Sequence, residues 1–172
     1  MLKMNGHHIN SPFWNLVDRN VKGFETTLFP LFKKEKLETL SLEEIDERIQ
    51  EAFIYDEYKW QKDNNIHVTY QGRAEGLHKV LYKCPHCLKE NYMSSKGNIL
   101  QCDACNKQWE YDELGQLKAK EGRTEFTHIP DWYEWERGEI RKEIEAGTYY
   151  FESPVHVGLL PKDKFIQIGK LN

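Results

Sequence analysis

The residues best suited to chemistry are four cysteines, arranged as Cys84-Pro-His-Cys87 and Cys102-Asp-Ala-Cys105. They are all the cysteines of the chain, and none is left over. Two C-x2-C knuckles can each offer two thiolates to one tetrahedral metal ion, and fourteen intervening residues are just enough for a β-hairpin to carry one knuckle over the other. Asn91-Tyr92-Met93 supplies one arm, Lys96-Gly97-Asn98 the turn and Ile99-Leu100-Gln101 the other arm. Trp109, on a third strand, is placed to cover the site. This spacing is a zinc-ribbon signature. Four sulfurs leave no open position, so Zn2+ held by Cys84, Cys87, Cys102 and Cys105 is structural and activates no water.

Other uses of these cysteines fit less well. Iron–sulfur clusters also take four Cys, but paired knuckles around a single atom suit zinc better. Redox C-x2-C chemistry needs one exposed, low-pKa pair at a helix start, whereas two matched pairs stand here. Disulfides are unnecessary in a chain of this length, and nothing points to an oxidising compartment. His86, inside the first knuckle, reads as a neighbour of the site or an exposed residue rather than a fifth ligand.

Around this centre the chain reads as α+β. Residues 21 to 32 (VKGFETTLFPLF) are strand-like as far as Phe29, where Pro30 stops a ladder. Ser41 and Glu44 form a capping box, and Leu42, Ile45, Ile49, Ala52 and Phe53 share one helical face. That spacing predicts a helix over 42–54, running on through Tyr58 and Trp60 to Lys62. Lys107 to Tyr111 alternates as a strand. Pro130 suits the first turn of a helix over 131–146, with Gly147 free to end it in the left-handed conformation. Tyr133, Ile140 and Ile144 form the helix's apolar stripe, with Trp132 and Trp135 to its side. Strand-like runs follow at Tyr149–Phe151, 155–160 and 165–168, with Pro161-Lys162-Asp163 between the last two.

The 172 residues carry 24 Lys and Arg against 28 Asp and Glu, with 39% hydrophobic and 30% charged residues. That balance builds a globular core, and the net charge of −4 argues against a protein made mainly to grip nucleic acid. From Arg73 to Lys107 six basic residues face three acidic ones. This modest patch reads first as a solvated face, with nucleic acid, an anionic lipid surface or an acidic carrier protein as its other uses. No apolar run is long enough to cross a bilayer, and the polar start has no signal-peptide core, so the chain is expected in the cytoplasm.

Three stretches carry a family resemblance: NGHHINSPFWN at 5–15, RAEGLHKVLYKCPHC at 73–87, and EFTHIPDWYEWERGEIRKEIEAGTYYF at 125–151, together with the second knuckle. They resemble the distal part of bacterial lysophospholipid acyltransferases, specifically 1-acyl-glycerol-3-phosphate acyltransferase-like proteins that carry a zinc ribbon after the catalytic domain. The resemblance implies a role in phospholipid biosynthesis: acyl transfer from coenzyme A or acyl carrier protein to lysophosphatidic acid, at the inner face of the membrane. It also implies an acyltransferase-like end over 1–70, a ribbon over 78–115 and a helix-plus-strands unit over 122–172.

The family's His-x-x-x-x-Asp motif is missing. Five positions after His7, His8 and His128 stand Pro12, Phe13 and Tyr133, and Phe29-Pro30 is followed by Leu31 where the family's phosphate-binding segment has Glu. The chain thus reads as an accessory portion with no catalytic residues of its own, inactive alone. The different-class alternative is a stand-alone ribbon that binds protein or nucleic acid. His7 and His8 read as a polar turn or, in an intact enzyme, as pocket lining. Trp132 and Trp135 read as packing against the ribbon or, alternatively, as headgroup-level anchors at a membrane surface.

Overall fold

The computed structural model describes residues 1–152, 155–159 and 166–171 and is mixed α+β. The chain forms two compact units, Met1–Glu136 and Arg137–Asn172.

The centre of the first unit is an antiparallel sheet of β3 (Met93–Lys96), β4 (Ile99–Cys102), β5 (Gln108–Tyr111) and β6 (Leu117–Ala119), in that order. Its hairpin is tighter than the sequence suggests. Gly97, at φ +61, and Asn98 alone make the turn, so Ser94 to Lys96 extend the first arm. Along β4 to β6, Leu100, Cys102, Trp109, Tyr111, Leu117 and Ala119 alternate inward, while Gln101, Gln108, Glu110 and Lys118 face out. The inward set joins Leu77, Leu81, Met93, Ile129 and Trp132 in one core.

The N-terminal segment docks on this sheet. A hairpin of β1 (Leu2–Asn5) and β2 (Glu25–Leu28) precedes and follows a single turn of helix, α1 (His7–Asn10). The second strand is shorter than the apolar content of 21–29 predicts, because Asn20 and Gly23 take φ of 54° and 91°, which no strand accommodates. Trp14 enters the ribbon core, and Gly76 admits it: a Cβ there would stand 2.3 Å from the Trp14 carbonyl oxygen. Buried Arg19 donates to the Arg73 carbonyl at 2.8 Å, and Arg73 Nε donates to the Tyr111 carbonyl at 2.6 Å.

After the short α2 (Lys34–Leu37) comes α3 (Leu42–Phe53), with the Ser41/Glu44 capping box formed in both directions. The helix does not continue to Lys62. Ile54 is extended, and Asp56 starts a separate helix, α4 (Glu57–Asp63), by accepting the Lys59 N–H on its Oδ1. The Asp56 cap supports α4 as a separate helix, with Tyr58 and Gln61 as its buried residues.

The last helix, α5 (Ile129–Glu145), begins before Pro130 and ends at Gly147, whose φ is +66°. Its buried face is Ile129, Trp132 and Glu136, not the expected stripe: Tyr133 is 42% and Ile144 58% exposed, while Trp132 is 0% exposed. The large indole area outweighs the smaller aliphatic positions, and rotating the helix to bury Trp132 turns Tyr133 outward. Trp135 packs beside Phe126 with ring centroids 5.6 Å apart. In the second unit β7 (Val155–Leu159) pairs antiparallel with β8 (Ile166–Leu171). Tyr149–Phe151 is not a strand, and the expected Pro161-Lys162-Asp163 turn lies outside the described residues.

Candidate metal centre

The two knuckles are built alike from local backbone bonds. Leu88 N–H donates to the Cys84 carbonyl and Asn106 N–H to the Cys102 carbonyl, while Cys84 and Cys102 N–H donate to the carbonyls of Lys89 and Lys107. Closing so tight a loop puts the residue after each pair in the left-handed region, Leu88 at φ 62° and Asn106 at φ 61°. Asn tolerates this; for Leu it costs about 1–2 kcal/mol, which the knuckle's own bonds and ligands must offset.

These two loops bring together all four predicted ligands. Cys84, Cys87, Cys102 and Cys105 place their sulfurs within 4.8 Å of one another, with Cys84 to Cys105 at 3.8 Å and Cys87 to Cys102 at 3.7 Å. Those separations are far beyond an S–S bond of ~2.05 Å, so the cage is a dithiol pair of pairs and not two disulfides. Backbone N–H groups point at the sulfurs: Cys87 and His86 toward Cys84, Ala104 and Cys105 toward Cys102, and Lys89 toward Cys87. Burial pushes the Cys84 and Cys102 thiols up despite these donors. At Cys87 burial also acts upward, but the Lys89 N–H and the neighbouring cysteines outweigh it and hold the thiol below its usual range. Buried sulfurs that are costly to ionise alone, and are lined with N–H donors, are suited to a cation that supplies the missing positive charge.

The wall behind the cage is apolar and aromatic. Trp109 is fully buried, as its position on the third strand predicts, and meets Trp132 edge to face at 5.0 Å. The Trp132 indole N–H donates to the Lys83 carbonyl at 3.0 Å and to Glu136 at 3.2 Å. Glu136, fully buried, also accepts the Lys83 N–H at 2.8 Å, and so satisfies the backbone that enters the first knuckle. Burial lifts its carboxyl from 4.5 to about 8. Sequence reasoning passed over Glu136; its one signal is the i, i+4 spacing from Trp132. On the other side Glu125 takes the Lys107 ammonium and the Trp109 indole N–H at 3.3 Å. His86 is exposed, with Nδ1 3.6 Å from Glu125, and lies outside the cage.

A second cluster gathers residues the sequence left apart. His128 Nε2 meets Asp56 Oδ2 at 2.7 Å, and the His8 ring nitrogen meets the Tyr58 hydroxyl at 3.3 Å. Tyr58 stands edge to face with both imidazoles. Burial, then the nearby Arg19 and His7, lower the His8 pKa. His8 therefore packs among Phe13, Trp14 and Tyr58, whereas His7 is exposed. Trp132, enclosed by the ribbon, is not available to a membrane surface; no helix among the described residues is long and apolar enough to span one.

Comparison with protein-family models, curated proteins and solved structures finds no match to the chain.

Proposed function

We propose that this chain is an accessory, zinc-stabilised portion of a glycerophospholipid acyltransferase-like protein, cytoplasmic and peripheral to the membrane, with no complete active site of its own. The observation that carries the zinc part is the sulfur cage. A metal with ~2.3 Å bonds to four tetrahedral sulfurs sets them ~3.8 Å apart, and the cage has edges of 3.7 and 3.8 Å. Its all-thiolate donor set suits zinc, which folds the ribbon and has no site left for water. The acyltransferase part rests on the sequence resemblance. The structure adds that Ile129, Trp132 and Glu136 of the most distinctive stretch pack with Cys84 and Cys102, so stretch and knuckles share one core whatever the family. The family's reaction belongs to a His-x-x-x-x-Asp motif that this chain lacks, and its partners are accordingly the remainder of such an enzyme, its lipid surface or its acyl carrier protein.

Two measurements test this reading. Metal analysis of the purified chain gives about one zinc per chain, and Cys84→Ser or Cys102→Ser abolishes it together with the folded circular dichroism of the ribbon. A ribbon that stays folded after a strong chelator removes all metal overturns the zinc assignment. Incubation with lysophosphatidic acid and an acyl thioester gives no turnover above a no-protein control; measurable turnover overturns the accessory reading.

A further inference from the structure

The outward face of the ribbon sheet differs from the rest of the chain in charge. Ser94 pairs with Gln101, Gln101 with Gln108, and the Lys120 N–H bonds to the Gln108 carbonyl, so these four residues form a row across the strands. With strands ~4.8 Å apart the row is ~14 Å long. A groove of about 280 Å³ lies over it, with Lys96 at the β3 end. It shares Gln108 and Lys120 with a larger groove of about 840 Å³ that continues past Arg123 toward Cys105 and His86. Lys96, Lys107, Lys120 and Arg123 outnumber Glu121 and Glu125 along the two grooves, and with the Asp103 carboxylate at the edge of the row the local balance is +1 in a chain of net −4. Glu125 is already matched by Lys107. The side chains of Lys96, Lys120 and Arg123 make no hydrogen bond or ion pair among the described residues.

The floor between these cations decides which anion fits. Ser94 Oγ and Gln101 Nε2 both donate to Asp103 Oδ1, at 2.8 and 3.1 Å, and Gln108 Nε2 donates to Gln101 Oε1. The chain of donors ends with Gln108 Oε1 as an open acceptor and with the Asp103 carboxylate at the other end. A phosphodiester backbone brings acceptors only, and would set them against these oxygens with no proton to share. Neither groove is lined by Phe, Tyr or Trp, so bases have no ring to stack on. An extended peptide with acidic side chains brings both what the cations need and the N–H that Gln108 lacks.

We propose that this groove receives an extended acidic segment of a partner protein, with its carboxylates on Lys96, Lys120 and Arg123 and a backbone N–H on Gln108 Oε1. At ~3.4 Å per residue, four or five residues span the row. The inference goes beyond the acyl-transfer reading and stands or falls separately from it. The test is fluorescence anisotropy with the zinc-loaded full chain and a labelled alternating Glu-Ser peptide of about twelve residues, at about 25 and about 200 mM salt. The peptide binds saturably, more weakly at the higher salt, and K120E/R123E weakens it at least about tenfold. Lys118→Glu, on the same face outside both grooves, weakens binding less than the double variant, and at about 200 mM salt by no more than about twofold. If the double variant loses its zinc or its fold, Lys96→Glu takes its place, with the same direction of effect. No saturable binding at low salt, equal loss in Lys118→Glu, or tighter binding of an equally long oligo-dT or of phosphatidylserine vesicles overturns the proposal.

Discussion

Replacing Glu136 by glutamine removes a titratable group from the back of the ribbon and keeps the acceptor that the Lys83 and Trp132 N–H groups use. The carboxyl is 0% exposed, and its Oε2 has no partner. Burial first, with the nearby Glu90 adding to it against the hydrogen bonds, lifts its pKa from 4.5 to about 8. The folded state thus holds this proton more tightly than the unfolded chain. The stability it contributes is fully present below about pH 4.5 and is lost as pH rises through about 8. The whole window is worth ~5 kcal/mol; between about pH 6.5 and 9, where the thiolates keep their metal, the loss is ~2 kcal/mol. Urea unfolding of the zinc-loaded proteins, followed by tryptophan fluorescence, shows the stability of the parent relative to E136Q falling by about that amount across this range, the thiolate contribution being common to both. Parallel pH profiles for the two proteins would refute the reasoning, because they would mean that Glu136 titrates alike folded and unfolded.

Further changes probe the same packing. Trp132→Ala empties a fully buried site and strips the Lys83 carbonyl of its donor, at a cost of ~3–5 kcal/mol, whereas Trp132→Phe keeps most of the area and loses ~1–2 kcal/mol in the same urea assay. Gly76→Ala meets the Trp14 carbonyl at 2.3 Å in a backbone of φ +84°, and lowers stability by ~1–3 kcal/mol; a thermal melt unchanged from the parent would refute the close approach. Ser41→Ala removes the capping box of an exposed helix, and lowers helical circular dichroism over α3 with a cost of about 1 kcal/mol or less.

What the sequence made legible is what short-range rules govern. The cysteine spacing located all four sulfurs, because each knuckle closes through bonds to residues at most five positions away. The capping box located the start of α3 for the same reason. The face of α5 was misread because sorting by hydropathy sends glutamate outward. Here Glu136 is buried to serve the backbone of Lys83, a partner 53 positions back that no local pattern announces. The meeting of His8, Tyr58, His128 and Asp56 was likewise invisible, since it exists only once α4 and the start of α5 converge on the N-terminal segment. The break at Ile54 was readable in principle, as Asp56 is a sound cap, but the apolar run through Tyr58 and Trp60 concealed it.

The hydrogen bond from Lys83 to Glu136 also bears on the order of events during synthesis. The knuckles are complete once Lys107 has been made, and the hairpin between them needs nothing from later residues. Trp132 and Glu136 arrive afterwards, so until then the half-made ribbon lacks the indole that closes its core and the donor and acceptor that meet Lys83. A nascent chain halted between these points can capture its metal and still be the form that chaperones or proteases recognise.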